Sequence, residues 1–188
     1  MPFNCKDQGN LTWWERAELC ADLLASLELR PGLEVSIADI GCGDQKLLEA
    51  IRRRGLLCRY QGYDLLPQDR DVVQFDVRSD VLPNAYEVVA LLGVVEYLEQ
   101  VELVFASLAR QAPWLLLSHV IQQGEYYTAE RLAELGWRNH LTSKELIRML
   151  DRAGLTVVRR GMTSDNRTLL LACRSRCVAN GAASAGWM

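Results

Sequence analysis

The stretch Val35-Ser-Ile-Ala-Asp-Ile-Gly-Cys-Gly-Asp-Gln-Lys-Leu-Leu-Glu-Ala-Ile51 restricts the fold more than any other part of the chain. A short apolar run passes through Gly41-Cys42-Gly43 and becomes a helical pattern, with Leu47, Leu48 and Ile51 on one face. Strand, tight turn and helix start follow one another without a linker. Gly41 and Gly43 can take φ > 0 and let a ligand approach bare backbone. Asp44 can cap the helix, and the exposed N–H groups there suit an electron-rich ligand group. Asp39 stands two residues before Gly41, at the carboxyl end of the strand. A phosphate gains nothing from a carboxylate there, whereas a cationic ligand does.

The rest of the chain repeats the alternation. Thr12-Trp-Trp-Glu15 reads as a capping box opening a helix to about Leu29, which Arg30-Pro31-Gly32 ends. Trp13 and Trp14 read as helix–sheet packing, with a cover over a ligand pocket as the alternative. The first strand is expected over about 35–40 and its helix over about 44–54. Further strands are expected over 57–63, 72–75, 86–92 and 113–119, and a helix carrying Leu98, Val101, Val104, Phe105 and Leu108 follows Gly93. The continuous apolar run ending Val88-Val-Ala-Leu-Leu92 marks a central strand covered on both faces. Thr142-Ser-Lys-Glu145 is a second capping box, and its helix stops at Gly154. Strands at about 155–159 and 168–173 then follow with no helix between them. These elements predict a single α/β domain, core about 12–174. Its doubly wound, mostly parallel sheet has about seven strands, one of them antiparallel near the C-terminus. Residues 175–188, rich in small residues, are expected to be a disordered tail.

Charge and cysteine usage exclude some partners. A net charge of -3 with no long basic stripe argues against a nucleic-acid backbone. No apolar run near 18 residues and no signal peptide is visible, so neither a membrane partner nor export is expected. The six cysteines are scattered, and Cys173-x-x-x-Cys177 has only two histidines to recruit, so no metal site is expected. A reduced, cytoplasmic protein is the expectation.

In a doubly wound sheet ligands bind beyond the carboxyl ends of the strands. Asp39, Asp64, Asp76, Gly93 and His119 all fall at predicted ends of that kind. Asp39-Ile-Gly-Cys-Gly-Asp44, Gly62-Tyr-Asp64, Phe75-Asp-Val77 and Gly93-Val-Val-Glu-Tyr97 together resemble class I S-adenosylmethionine-dependent methyltransferases, a Rossmann-like family. The resemblance spans roughly residues 35–173. It implies S-adenosylmethionine as cofactor and S-adenosylhomocysteine as product. Gly41, Cys42 and Gly43 would lie under the methionine part, with Asp39 near its ammonium. Asp64 and Leu65 would meet the ribose, Asp76 and Val77 the adenine edge, and Gly93 and Val94 the methionine moiety. Two departures stand out. Gln45 occupies a position where the family often has a third glycine, and Glu87 one where it often has Asp. A nicotinamide dehydrogenase competes, because Asp64 also lies about 20 residues past the glycines. However, Lys46 replaces the third glycine of that fingerprint. A methyltransferase-like binding subunit without catalysis is the other alternative.

Methyl transfer from a sulfonium needs mainly proximity and orientation, so no fixed catalytic set is required. A hydroxyl acceptor wants a base, and an amine must arrive neutral. Glu96, His119 and His140 are the candidates for such a role. Residues 120–141 show only a short helical piece, around 129–135, and are expected to form a mobile cover over the acceptor. Tyr126, Tyr127, Trp137 and Arg138 would then line its pocket. The expected activity is transfer to an O- or N-nucleophile of a small molecule.

Overall fold

The computed structural model describes residues 11–27, 29, 34–121 and 127–178. Its seven strands are β1 (Val35–Ile40), β2 (Cys58–Asp64), β3 (Val73–Gln74), β4 (Val88–Leu92), β5 (Trp114–Val120), β6 (Leu155–Met162) and β7 (Thr168–Ser175). They form one sheet in the order β3-β2-β1-β4-β5-β7-β6. β1 to β5 pair in parallel, and β7 runs antiparallel to both β5 and β6. This is the expected architecture.

Period-2 alternation divides the apolar residues between two covers. Ile37, Val88, Ala90, Leu116, Leu170 and Ala172 pack under α1 (Leu11–Ala25) and α2 (Lys46–Arg53). Ala38, Ile40, Val89, Leu91, Leu117 and Leu171 pack under α3 (Val101–Gln111) and α5 (Ser143–Arg152). Every residue of β5 is buried, as a strand covered on both faces requires. A one-turn-scale helix, α4 (Ala129–Glu134), stands outside these layers.

Local details differ from expectation for physical reasons. α1 begins at Leu11, so Thr12 lies inside the helix rather than at its cap. Glu15 instead accepts from the Ser164 N–H at 2.6 Å, fastening α1 to the β6–β7 hairpin. α1 also stops at Ala25, short of Leu29. β3 shrinks to two residues, and β4 starts at Val88 because Tyr86 turns into the core, its hydroxyl 2.7 Å from that of Tyr63. A short 3-10 turn, Val95–Tyr97, separates Gly93 from α3. The capping box at Thr142 and Glu145 forms in full, with Gly154 at φ 84° after α5. The expected tail also starts too early. Ser175 belongs to β7, and the Arg176 guanidinium reaches the Asp151 carboxylate at 2.8 Å. Residues 179–188 lie outside the described residues.

Candidate functional site

The order of strands reverses between β1 and β4, the usual place for a ligand crevice. A cavity of about 620 Å³ opens there at the carboxyl ends of the strands. Its wall includes Asp39, Gly41, Cys42, Gly43, Asp64, Leu65, Asp76, Val77, Gly93 and Val94, every residue expected to meet a cofactor.

The turn after β1 explains the glycines. Gly41 has φ 73°, and a Cβ there would stand 2.3 Å from Val94 Cγ2, so the turn after β1 lies this close to Val94 only because it has no side chain. Gln45 takes φ 61° and ψ 35°, the left-handed conformation that a third glycine would adopt without strain. It is the N-terminal flank of α2 and makes no side-chain cap. Asp44, expected to cap that helix, pairs instead with the Lys46 ammonium.

Three carboxylates mark successive strand ends, and each is held differently. Asp39 is 2% exposed and accepts from the Tyr60 hydroxyl at 2.6 Å. Burial pushes its pKa up to about 7, against the Tyr60 hydrogen bond and with help from the charge on Asp64. Asp64 Oδ2 accepts from the Gly43 N–H at 3.1 Å, and Oδ1 from the Leu66 N–H at 3.0 Å. It therefore ties the glycine turn to the end of β2 while keeping further lone pairs for a ligand. Asp76 is gripped by Arg78 at 2.7 and 2.5 Å, and these bonds hold its carboxyl below the usual range.

Of the three catalytic candidates, only Glu96 reaches the cavity wall. Glu96 lines the cavity at 1% exposure. Its Oε1 accepts from the Val120 N–H at 2.8 Å and lies 3.3 Å from His119 Nδ1. Burial works to raise its pKa, but His119 and backbone N–H groups outweigh it and hold the carboxyl below the usual range. His119 is fully buried, and its Nε2 accepts from the Leu141 N–H at 3.1 Å. That assigns the ring proton to Nδ1, facing Glu96. With Nε2 occupied by the Leu141 N–H, Nδ1 turned toward Glu96 Oε1 at 3.3 Å and no place in the cavity wall, His119 is a positioning residue for Glu96, contrary to its expected role as base.

The segment expected as a cover is partly anchored. Tyr127 and Trp137 line the cavity and stack on each other with centroids 5.3 Å apart. The Arg138 N–H donates to the Glu96 carbonyl at 2.7 Å, and Asn139 Nδ2 donates to the Val95 and Leu98 carbonyls at 2.7 Å. Residues 137–141 are thus clipped to the wall. The Arg138 side chain, 63% exposed, points to Glu99 and a neighbouring cavity of about 290 Å³. Its expected substrate contact is corrected accordingly. His140 packs against the rings of Tyr127 and Trp137, at 4.9 and 5.9 Å between centroids, and is not in the wall of the main cavity. It backs the aromatic wall instead of facing the acceptor. Tyr126 lies outside the described residues.

Sequence reasoning missed the floor and rim supplied by distant segments. Arg16 and Trp13 reach the cavity from α1, and a Cβ on Gly93 would meet the Arg16 guanidinium at 2.7 Å. Asp165, Arg167 and Thr168 arrive from the β6–β7 hairpin, and Tyr97 from the 3-10 turn. Only Trp13 carried any signal, as a tryptophan near a helix start. Among the described residues no cluster could hold a metal ion, and no helix is long and apolar enough to cross a membrane.

A family described as a methyltransferase domain matches residues 13–160. The chain belongs to that methyltransferase family. S-adenosylmethionine is the cofactor of that family, and the dehydrogenase alternative falls with this match. The solved structures like this methyltransferase include magnesium protoporphyrin IX methyltransferase from Synechocystis PCC 6803 with bound S-adenosylhomocysteine. That structure has a TM-score of 0.65 and 19% identity, over 87% of this chain and 83% of its own. Mitomycin 7-O-methyltransferase has a TM-score of 0.64 and 16% identity, over 89% of this chain and 55% of its own. A carbon methyltransferase has a TM-score of 0.66 and 15% identity, over 85% of this chain and 54% of its own. This methyltransferase spans about half the length of the last two. One shared fold thus serves oxygen and carbon acceptors, and it leaves the acceptor here open. No curated protein matches the sequence significantly.

Proposed function

We propose that this methyltransferase passes the methyl group of S-adenosylmethionine to an O- or N-nucleophile of a small molecule held between Glu96 and the Tyr97–Trp137–Tyr127 wall. The observation that carries the reading is the convergence of Asp39, Asp64 and the Gly41–Gly43 turn on one cavity wall, with Glu96 and the aromatic rings on the other.

The residues fit the cofactor. Asp39, with a pKa near 7 in a buried wall, gains a counter-ion when an ammonium arrives. Arg16, pressed against Gly93, is placed for a carboxylate. Asp64 suits a ribose diol and already orders the glycine turn. Bound there, S-adenosylmethionine supplies an electrophilic methyl on a sulfonium. The chain's own residues then hold, orient and shield the acceptor from water. A cavity of this size suits a small molecule, and the five described cysteines are all thiols, which fits a reducing cytoplasm.

The test is ligand-dependent melting. S-adenosylhomocysteine should raise the melting temperature with the logarithm of its concentration over its dissociation constant, and NAD and NADP should leave it unchanged. Stabilisation by NAD alone would overturn the reading. Binding of S-adenosylmethionine without turnover of any acceptor would point to a catalytically silent binding subunit.

A further inference from the structure

One buried carboxylate on the acceptor side is satisfied at only one of its two oxygens. Glu96 Oε1 takes the Val120 N–H and faces His119. Oε2, equally buried, meets no hydrogen-bond donor. Buried polar atoms in native structures are nearly always satisfied, so an orphan carboxylate oxygen in a cavity wall points to a ligand that supplies the donor.

The surroundings narrow that donor. Tyr97 follows Glu96 directly, the Trp137 indole N–H donates to the Tyr97 hydroxyl at 3.3 Å, and Tyr127 stacks on Trp137. All three line the same cavity as Glu96. Electron-rich rings sharing one cavity with an anionic oxygen suit a nitrogen that carries, or acquires, positive charge. A hydroxyl would instead ask Glu96 to remove a proton, and a carboxyl held below its usual range by His119 and Val120 is a poor base.

We infer that the acceptor is an amine on an apolar body, its nitrogen against Glu96 Oε2 and its body along the Tyr97–Trp137–Tyr127 wall. The inference rests on the methyltransferase reading of this cavity and names the acceptor that reading left open. In the transfer the nitrogen lone pair forms the new N–C bond as the C–S bond breaks. The electrons of that bond go to sulfur, which becomes neutral. The positive charge finishes on nitrogen, and one of its protons later leaves to water. Glu96 and the rings stabilise the charge where it arrives. Because Glu96 does not accept the proton, an amine that binds as its ammonium must release one proton to water before its lone pair can attack.

Calorimetric titration with benzylamine and its isostere benzyl alcohol tests this, using the full chain with S-adenosylhomocysteine bound. Benzylamine should bind at least about tenfold more tightly than the alcohol, one charge-assisted contact's worth. Glu96→Gln should erase that preference while S-adenosylhomocysteine binds within about twofold of its original affinity. Glu96 also holds the Val120 N–H, so Trp137→Leu serves as a second variant on the half-buried wall and should weaken benzylamine more than benzyl alcohol. Equal binding, a preference for the alcohol, or no detectable benzylamine binding overturns the amine assignment and leaves the methyltransferase reading standing. Failure of S-adenosylhomocysteine to bind at all overturns the parent reading and the inference with it.

Discussion

Two buried carboxylates face one cavity and ionise in opposite senses. Asp39, at the end of β1, has one hydroxyl donor and a like charge, Asp64, at the end of neighbouring β2, and its pKa climbs to about 7. Glu96, after β4, has a backbone N–H and a histidine ring, and its pKa falls below the usual range. Burial is all but complete in both cases, so burial does not decide the outcome. The number and kind of donors does. Asp39 therefore keeps its proton up to about pH 7 unless a cation arrives, whereas Glu96 is already ionised and lacks only a donor for Oε2.

The largest expected effect is on the β1 wall. Asp64→Ala removes a carboxylate that orders Gly43 and Leu66 and is placed for the ribose. S-adenosylhomocysteine affinity should fall by about 2–4 kcal/mol in calorimetry. An unchanged dissociation constant would reduce Asp64 to a turn residue. On the β4 wall, His119→Ala should lower stability by about 2–4 kcal/mol in urea unfolding. It leaves a cavity, an unpaired Leu141 N–H and a carboxylate short of one neighbour. It should also raise the Glu96 pKa and make the two walls alike. If stability and acceptor pH dependence both stay unchanged, His119 does not set the ionisation of Glu96.

The next effect is in pH. Cofactor binding should tighten as pH rises toward about 7, by up to about tenfold per unit, and then level off, because the ammonium must displace a proton from Asp39. Asp39→Asn should bind weakly and without this slope. In the free protein the sign is reversed. The native state keeps a proton that the unfolded chain releases near pH 4, so the contribution of Asp39 to stability is present at low pH. It is lost as pH rises through about 7. Smallest is Gln45→Gly. Relief of a left-handed residue, about 1–2 kcal/mol, is offset by glycine's greater unfolded freedom. A net gain below about 1 kcal/mol in thermal unfolding is expected. A loss would mean that the Gln45 side chain contributes to the turn.

The β1 wall was legible in the sequence because it is local. Asp39, Gly41 and Gly43 are neighbours in the chain, and Asp64 and Asp76 close strands recognisable from their own composition. The β4 wall was legible only in part. Glu96 could be named, but its partner could not be distinguished from a base. The Leu141 N–H that occupies His119 Nε2 comes from 22 residues away, at the end of a segment without periodicity. Arg16 and Asp165 were invisible for the same reason: they reach the cavity through tertiary packing of α1 and the hairpin. Thr12 and Asp44 show the converse limit, since both suit a cap locally and the fold gives both another setting.

The order of strands across the sheet has a consequence for biosynthesis. β7 is the last of the seven to be made, yet it lies inside the sheet, between β5 and β6. On a ribosome, β5 keeps one edge of unpaired backbone groups until Thr168–Ser175 emerges and slots in, although its residues are built to be wholly buried. Such an edge recruits strands from other chains. Nascent chains interrupted before Thr168 should therefore be the species that chaperones must hold, and pelleting of truncated translation products would show it.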